Sequence, residues 1–78
     1  MRIRYFAGAA EAAGCEEETF AGAAPLGELR ARLAERHGAG FARVLARCSV
    51  LVDGTRLGDE DAVAEDATVD VLPPFAGG

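Results

Sequence analysis

Apolar and polar residues alternate near both ends of the chain, in residues 2–7 and in residues 67–72. Alternation with a period of two predicts a β-strand that buries one face. The inward positions of the two strands are apolar: Ile3, Tyr5, Val69 and Val71. The outward positions are Arg2, Arg4, Phe6, Thr68, Asp70 and Leu72, which are mainly polar. Phe6 and Leu72 therefore stand out on an otherwise polar face.

The clearest helix is predicted over residues 25–37, where three leucines recur at helical spacing and form one apolar stripe. These leucines are Leu26, Leu29 and Leu33. Pro25 suits the first turn of a helix, and Gly38 is typical of the position just after a helix ends. We expect this helix to cover one face of a sheet.

Shorter elements are expected between these landmarks. The dipeptide Asp53-Gly54 predicts a tight hairpin. The other expected elements are a short helical turn over residues 8–14, a strand over 16–20, a second short helix around 41–45, a strand over 50–52, a return strand over 55–57 and an acidic loop over 58–66.

The resulting order is β-β-α-β-β-β with one main helix, which is typical of an α+β domain. If the first and last strands lie side by side in the middle of the sheet, the arrangement is a β-grasp (ubiquitin-like) fold. We expect a mixed sheet of four to five strands, a β-grasp domain over residues 1–74 and a flexible tail over residues 75–78.

Composition and charge narrow the function classes. The chain has 78 residues, with 8 basic and 13 acidic side chains and a formal net charge of −5. This balance argues against nucleic acid as a partner. No apolar run approaches the ~18 residues of a membrane span, and residues 1–5 read as a strand and not as a signal peptide. We therefore expect a cytoplasmic protein without a membrane partner.

The residue types that most often do chemistry are few and scattered. Cys48 leads into an apolar strand and is expected in the core, whereas Cys15 lies in a turn. A single histidine, His37, ends the main helix and is expected to cap it or to interact with its dipole. With this spacing along the chain we predict no metal site and no converging catalytic pocket, so the chain is not expected to be catalytic alone.

After the last strand come two prolines and four further residues: Pro73, Pro74, Phe75, Ala76, Gly77 and Gly78. Proline ends the sheet ladder because it donates no backbone hydrogen bond, and it favours an extended exit. Glycines have no side chain that could block a narrow channel. Such a tail is suited to entering a partner's active site, although a frayed end that happens to finish in glycine is the plain alternative.

The last strand and tail, from Thr68 to Gly78, resemble the C-terminus of the molybdopterin synthase small subunit. This subunit belongs to the ubiquitin-like sulfur-carrier family, which also includes the thiamine-pathway carrier. The opening Ile3-Arg4-Tyr5-Phe6-Ala7 and the turn Val52-Asp53-Gly54 resemble the same family. The ending Pro-Pro-x-x-Gly-Gly favours the molybdopterin branch, since the thiamine carriers usually lack the proline pair.

The resemblance implies a mechanism centred on the carboxylate of Gly78. A ubiquitin-activating-like enzyme uses ATP to adenylate this carboxylate, and a sulfur donor protein converts it to a thiocarboxylate. The molybdopterin synthase large subunit then accepts the tail, and the sulfur passes to a pterin precursor. Gly77 gives access to the reactive end, and no cofactor is expected to be bound.

The outward face near the root of the tail is the expected partner-binding surface. Phe6, Leu72 and Phe75 can form an apolar anchor patch there. With the rest of the tail root, the predicted partner-binding residues are Phe6, Leu72, Pro73, Pro74, Phe75 and Ala76.

Three alternative functions stay open at this point. The chain is compatible with a sulfur carrier for thiamine, cysteine or natural-product biosynthesis. It is also compatible with a ubiquitin-like modifier that forms amide bonds to target lysines, or with a plain interaction domain whose tail is inert.

Overall fold

The computed structural model describes residues 1–74 and contains three helices and seven strands in that range. In chain order they are β1 (Arg2–Tyr5), α1 (Gly8–Ala13), β2 (Glu17–Thr19), β3 (Ala24–Pro25), α2 (Leu26–His37), α3 (Ala39–Leu45), β4 (Ser49–Val52), β5 (Thr55–Arg56), β6 (Ala62–Val63) and β7 (Thr68–Leu72). The predicted helices and the predicted strands are confirmed, most of the strands being shorter than expected. The expected tail over residues 75–78 lies outside the described residues.

Five strands form one mixed sheet in the order β2-β1-β7-β4-β5. The first and last strands, β1 and β7, are parallel neighbours at its centre, and β1–β2, β4–β7 and β4–β5 are antiparallel. The register places Ile3 opposite Val69 and Tyr5 opposite Val71. Because side chains alternate between the faces of a strand, these four residues share one buried face. The predicted β-grasp arrangement is confirmed.

The helix α2 covers the buried face of the sheet. Leu26, Leu29 and Leu33 are each at most 1 % exposed, as expected for one apolar stripe, and burial of a leucine contributes about 1.5–3 kcal/mol relative to exposure. Helix α3 adds Phe41 and Leu45 to the same core. Among residues 1–74, no helix combines the length and apolar character needed to cross a membrane.

The acidic segment over residues 58–66 is not only a loop. It contains β6, which pairs with β3 in a second, two-stranded sheet. Val63 in β6 is fully buried. The carbonyl oxygens of Asp61 and Asp59 accept hydrogen bonds from the backbone N–H groups of Leu26 and Gly27 at 2.9 Å each.

These two bonds satisfy donors in the first turn of α2, which has no side-chain cap. The segment is thus the N-terminal support of the main helix. Pro25, expected in the first turn, immediately precedes the helix with extended backbone angles.

Candidate functional site

The tail root lies at the centre of the sheet. The last residue of β7, Leu72, pairs with Ser49 on β4, and the Phe6 N–H donates to the Val71 carbonyl at 3.2 Å. Because β1 and β7 run in parallel, their C-terminal ends meet, and this places Phe6 beside Leu72. Any segment that follows Pro74 therefore starts from the middle of the domain and not from a sheet edge.

An apolar groove of about 680 Å³ surrounds this root on the face of the sheet opposite α2. The groove is lined by Phe6, Ala7, Gly8, Ser49, Leu51, Arg56, Leu72, Pro73 and Pro74. Phe6 is 38 % exposed and is the one large hydrophobic residue of the described chain that is classed as exposed. Leu51, Leu72 and Pro73 are half-buried, and Pro74 is exposed. An exposed apolar surface with polar residues at its rim is typical of a protein-binding site.

An ion pair lies beside the groove. The Nε and Nη2 atoms of Arg4 donate to the two carboxylate oxygens of Asp70 at 2.6 and 2.9 Å. The hydrogen bond to Asp70, followed by the charge of Asp70, raises the pKa of Arg4. The guanidinium carbon also lies 5.6 Å from the centroid of the Phe6 ring. The pair therefore neutralises both charges next to the groove and supports one side of the Phe6 ring.

The backbone is strained directly after Phe6. Ala7 has φ 49° and ψ −125°, in a region that L-residues other than glycine rarely adopt. The turn is closed by a 3.0 Å hydrogen bond from the Ala9 N–H to the Phe6 carbonyl, and α1 begins at once. Strained residues concentrate at functional positions, because the surrounding structure must hold them. Here the turn sets the direction in which the chain leaves Phe6.

The structure brings together four of the predicted site residues: Phe6, Leu72, Pro73 and Pro74. The predicted residues Phe75, Ala76, Gly77 and Gly78 lie outside the described residues. Leu51 and Arg56 also line the groove and were not predicted as site residues. The alternation within β4 carried a signal for Leu51, since Val50 and Val52 face the core and leave Leu51 on the outer face.

The chain belongs to the ThiS family, whose model matches residues 3–78. This family comprises ubiquitin-like sulfur carriers of the ThiS and molybdopterin-synthase small-subunit type. The resemblance found in the sequence is thereby confirmed. Membership implies a carrier whose C-terminus holds sulfur as a thiocarboxylate and whose partner is a ubiquitin-activating-like enzyme.

Solved structures agree on the fold. The chain is similar to a protein from Pyrococcus furiosus assigned as molybdopterin converting factor, subunit 1, with a TM-score of 0.81, 23 % identity and 95 % of each chain covered. It is also similar to SAMP1 from Haloferax volcanii, with a TM-score of 0.80, 28 % identity, and 100 % of this chain and 98 % of that chain covered. A second structure of that protein, titled small archaeal modifier protein 1, gives a TM-score of 0.77 at 26 % identity, covering 96 % and 97 % of the two chains. A comparison with curated protein sequences gives no significant match.

Proposed function

We propose that this chain is the sulfur-carrying small subunit of a molybdopterin synthase, and that it docks on its partners through the apolar groove at the tail root. The observation that carries the docking proposal is the coincidence of the groove with the end of β7, where the Pro-Pro-x-x-Gly-Gly segment begins. Membership of the ThiS family supports the carrier chemistry. The proline pair supports the molybdopterin branch.

The proposed reaction uses the carboxylate of Gly78 and groups supplied by partners. A carboxylate is a poor electrophile, so the activating enzyme first joins it to AMP from ATP. The persulfide of the sulfur donor then attacks the carbonyl carbon, a C–S bond forms, and the C–O bond to AMP breaks. A second thiol, supplied by the donor or the activating enzyme, cleaves the resulting acyl disulfide and becomes part of a disulfide itself. This leaves a thiocarboxylate, whose sulfur is a soft nucleophile. Residues 75–78 can extend roughly 14 Å from the groove, which is enough to enter a channel in the large subunit. Gly77 and Gly78 present no side chain to that channel.

The test of the carrier chemistry is the intact mass after incubation with an activating enzyme, ATP and a sulfur donor. We expect a gain equal to the replacement of one oxygen by sulfur. The gain should vanish in Gly78→Val, whose side chain crowds the reacting carboxylate. It should also vanish in a chain extended by one residue, because the Gly78 carboxyl group is then part of a peptide bond. If the mass is unchanged while the same enzyme loads its own carrier, and no adducts to lysine form, the tail is inert and the proposal is wrong.

The branch is tested by adding a molybdopterin synthase large subunit and the pterin precursor to the loaded protein. We expect the added mass to be lost as sulfur enters the pterin. A loaded protein that keeps its sulfur here, but delivers it to a thiamine, cysteine or natural-product enzyme, would contradict the molybdopterin assignment and leave the carrier assignment standing.

A protein modifier is the second candidate, because a small archaeal modifier protein is 28 % identical over the whole of this chain. The modifier would transfer the activated Gly78 carbonyl to a lysine amine of a target. It predicts isopeptide adducts in a lysate supplied with the activating enzyme, and it predicts that these adducts form without a sulfur donor. Their absence, together with a loaded thiocarboxylate, favours the carrier.

The role of the groove is tested with two matched phenylalanine variants. Phe6 lies in the groove with Arg4 beside its ring, and Phe20 lies on another surface, with Arg36 5.2 Å from its ring centroid. Loss of an aromatic anchor typically costs about 2 kcal/mol or more of binding energy, which is roughly 25-fold in Kd. We therefore expect Phe6→Ala to weaken binding of the large subunit by about that factor and Phe20→Ala to leave it unchanged. Equal effects of the two variants would contradict docking at the groove.

A further inference from the structure

Three side chains with different metal-binding atoms converge on the opposite side of the sheet from the groove. They are Cys15, in the turn after α1, Glu18 on β2, and His37, the last residue of α2. The Cys15 Sγ, a Glu18 carboxylate oxygen and a His37 ring nitrogen all lie within 4.8 Å of one another. All three residues are half-buried, and the side chains of Glu18 and His37 are only 12 % and 11 % exposed. The cluster is therefore largely shielded from solvent.

Glu18 is held as a carboxylate at the centre of this cluster. Its Oε2 lies 2.5 Å from His37 Nε2 and accepts a 2.5 Å hydrogen bond from the Tyr5 hydroxyl, and its Oε1 accepts from Arg36 Nε at 2.9 Å. Burial acts to raise the pKa of Glu18, but the hydrogen bonds from Tyr5 and His37, with the charges of His37 and Arg36, outweigh it and lower the pKa. Glu18 is thus anionic and fixed in orientation.

His37 is oriented by packing and not only by Glu18. Its ring lies against Tyr5, with the centroids 5.7 Å apart, and against Phe41, with the centroids 5.0 Å apart. His37 lies in the last turn of α2, as expected for a residue that interacts with the helix dipole, and its side chain also contacts β1 and β2. Two aromatic walls restrict the rotation of the imidazole and keep Nε2 pointing at Glu18.

We propose that Cys15 Sγ, Glu18 Oε2 and His37 Nε2 bind one Zn²⁺ ion, with water as the fourth ligand. Thiolate, imidazole and carboxylate are the three ligand types that zinc takes in proteins, and zinc accepts them in one tetrahedral site. Three protein ligands with one open position are also a common zinc arrangement.

The distances require only small movements. Tetrahedral Zn²⁺ with bonds of about 2.0–2.3 Å places its ligand atoms roughly 3.3–3.6 Å apart. The Cys15 Sγ to Glu18 Oε2 distance is 3.9 Å, and the Glu18 Oε2 to His37 Nε2 distance is 2.5 Å. Shifts of about 1 Å at side-chain ends therefore complete the geometry. Arg36 already holds the second oxygen of Glu18, as outer-shell groups do at zinc sites.

Charge and protons balance in this step. Burial, followed by the negative charge of Glu18, raises the pKa of the Cys15 thiol, so the metal-free site holds a neutral thiol. Zn²⁺ displaces the Cys15 thiol proton to solvent. It also replaces the hydrogen bond between His37 and Glu18, so the proton on His37 Nε2 passes to solvent, Nδ1 carries the remaining N–H, and the imidazole binds as a neutral ligand. The thiolate and carboxylate together neutralise the ion. Glu18 and His37 lie 19 positions apart in the sequence, so their spacing gave no hint of this cluster, which only the fold brings together.

Such an ion would add a link between three elements, beside the existing contacts of Glu18 with Arg36 and His37. It links the turn after α1, the three-residue edge strand β2 and the C-terminal end of α2. Small domains often depend on a metal for stability, because their cores are limited. We therefore expect Zn²⁺ to raise the melting temperature of the protein.

The test is a Co²⁺ titration of untagged, chelator-treated protein, followed by displacement with Zn²⁺. We expect one Co²⁺ per chain, with the near-ultraviolet absorption of a thiolate–cobalt bond, and loss of that absorption on adding Zn²⁺. Cys15→Ser and His37→Gln should remove the absorption band and weaken binding by more than the roughly 10- to 100-fold that loss of an outer-shell group costs. The control is Cys48→Ala, since Cys48 is buried away from the cluster and its thiol donates to the Val44 carbonyl at 3.1 Å. That variant should keep the band.

A measurement on the unmodified chain covers the case in which the variants fail to fold. Zn²⁺ should slow alkylation of Cys15 and raise the melting temperature, with Cys48 as the internal reference in the same sample. The proposal is overturned if no thiolate band forms, if Cys15→Ser binds as well as the parent, or if Zn²⁺ leaves the alkylation of Cys15 unchanged.

Discussion

Replacing Ala7 by glycine should stabilise the domain, although glycine is usually the less stable choice. Ala7 adopts φ 49° and ψ −125° at the turn between Phe6 and α1. Its side chain is exposed, so removing the methyl group costs no packing. The substitution therefore changes the backbone preference almost alone.

The magnitude follows from two opposing terms. A residue held in a sparsely populated φ/ψ region costs about 1–3 kcal/mol, and glycine does not incur this cost. Glycine loses more chain entropy on folding, which costs about 0.5–1 kcal/mol relative to alanine. The net expectation for Ala7→Gly is an increase of about 1 kcal/mol in the free energy of unfolding.

The assay is urea unfolding with an unchanged m-value. For a domain of this size m is about 1 kcal/mol/M, so the midpoint should rise by roughly 1 M. The matched control is Ala31→Gly, an exposed alanine inside α2, which should lower stability by about 1 kcal/mol. If both variants are destabilised alike, Ala7 is not strained and the account of the turn is wrong.

Three further substitutions test the packing of the helices by the same urea assay. Gly27→Ala should lower the free energy of unfolding by about 1 kcal/mol, because an added Cβ would lie 3.1 Å from Asp59 Cβ and 3.2 Å from the Asp59 carbonyl oxygen. A stabilising effect would contradict the close packing of residues 58–66 against the start of α2. Gly40→Ala should raise the free energy of unfolding by about 0.5–1 kcal/mol, since Gly40 lies in α3 and no atom lies within 4 Å of the added Cβ. A loss of stability would mean that the added methyl group clashes with a neighbour. Phe41→Ala should cost about 3–5 kcal/mol, because Phe41 is 1 % exposed, and a cost below 1 kcal/mol would mean that α3 does not pack on the core.

The central features of the fold were predictable because they depend on long, regular patterns. The alternation around Ile3 and Val69 and the leucine stripe of α2 each recur often enough to identify the element. The pairing β3–β6 was not predictable, since each strand has two residues and shows no period. This pairing depends on tertiary contacts, because Val63 becomes buried when residues 58–66 fold back onto the start of α2.

The candidate groove was predictable in part. Phe6 and Leu72 interrupt a polar face, and the parallel pairing of β1 with β7 follows from the β-grasp topology. The strain at Ala7 was not predictable, because alanine gives no sequence signal for a positive φ. The sequence could not decide which arginine pairs with Asp70, since Arg2 and Arg4 both lie on the outward face of β1. The register of β1 against β7 places Arg4 opposite Asp70, and Arg2 pairs with Glu17 at 2.8 Å.

The strand β1 separates the proposed metal site from the proposed docking surface. Tyr5 points inward to Glu18, while Arg4 and Phe6 point outward to the groove. Because the two sites lie on opposite faces and share no side chain, their effects should be independent. We expect Phe6→Ala to leave Co²⁺ affinity unchanged, and Zn²⁺ to leave the affinity for the large subunit within about twofold. A larger change, measured by titrating the partner with and without Zn²⁺, would mean that β1 transmits the metal's effect through its backbone, and the two faces would then act as one site.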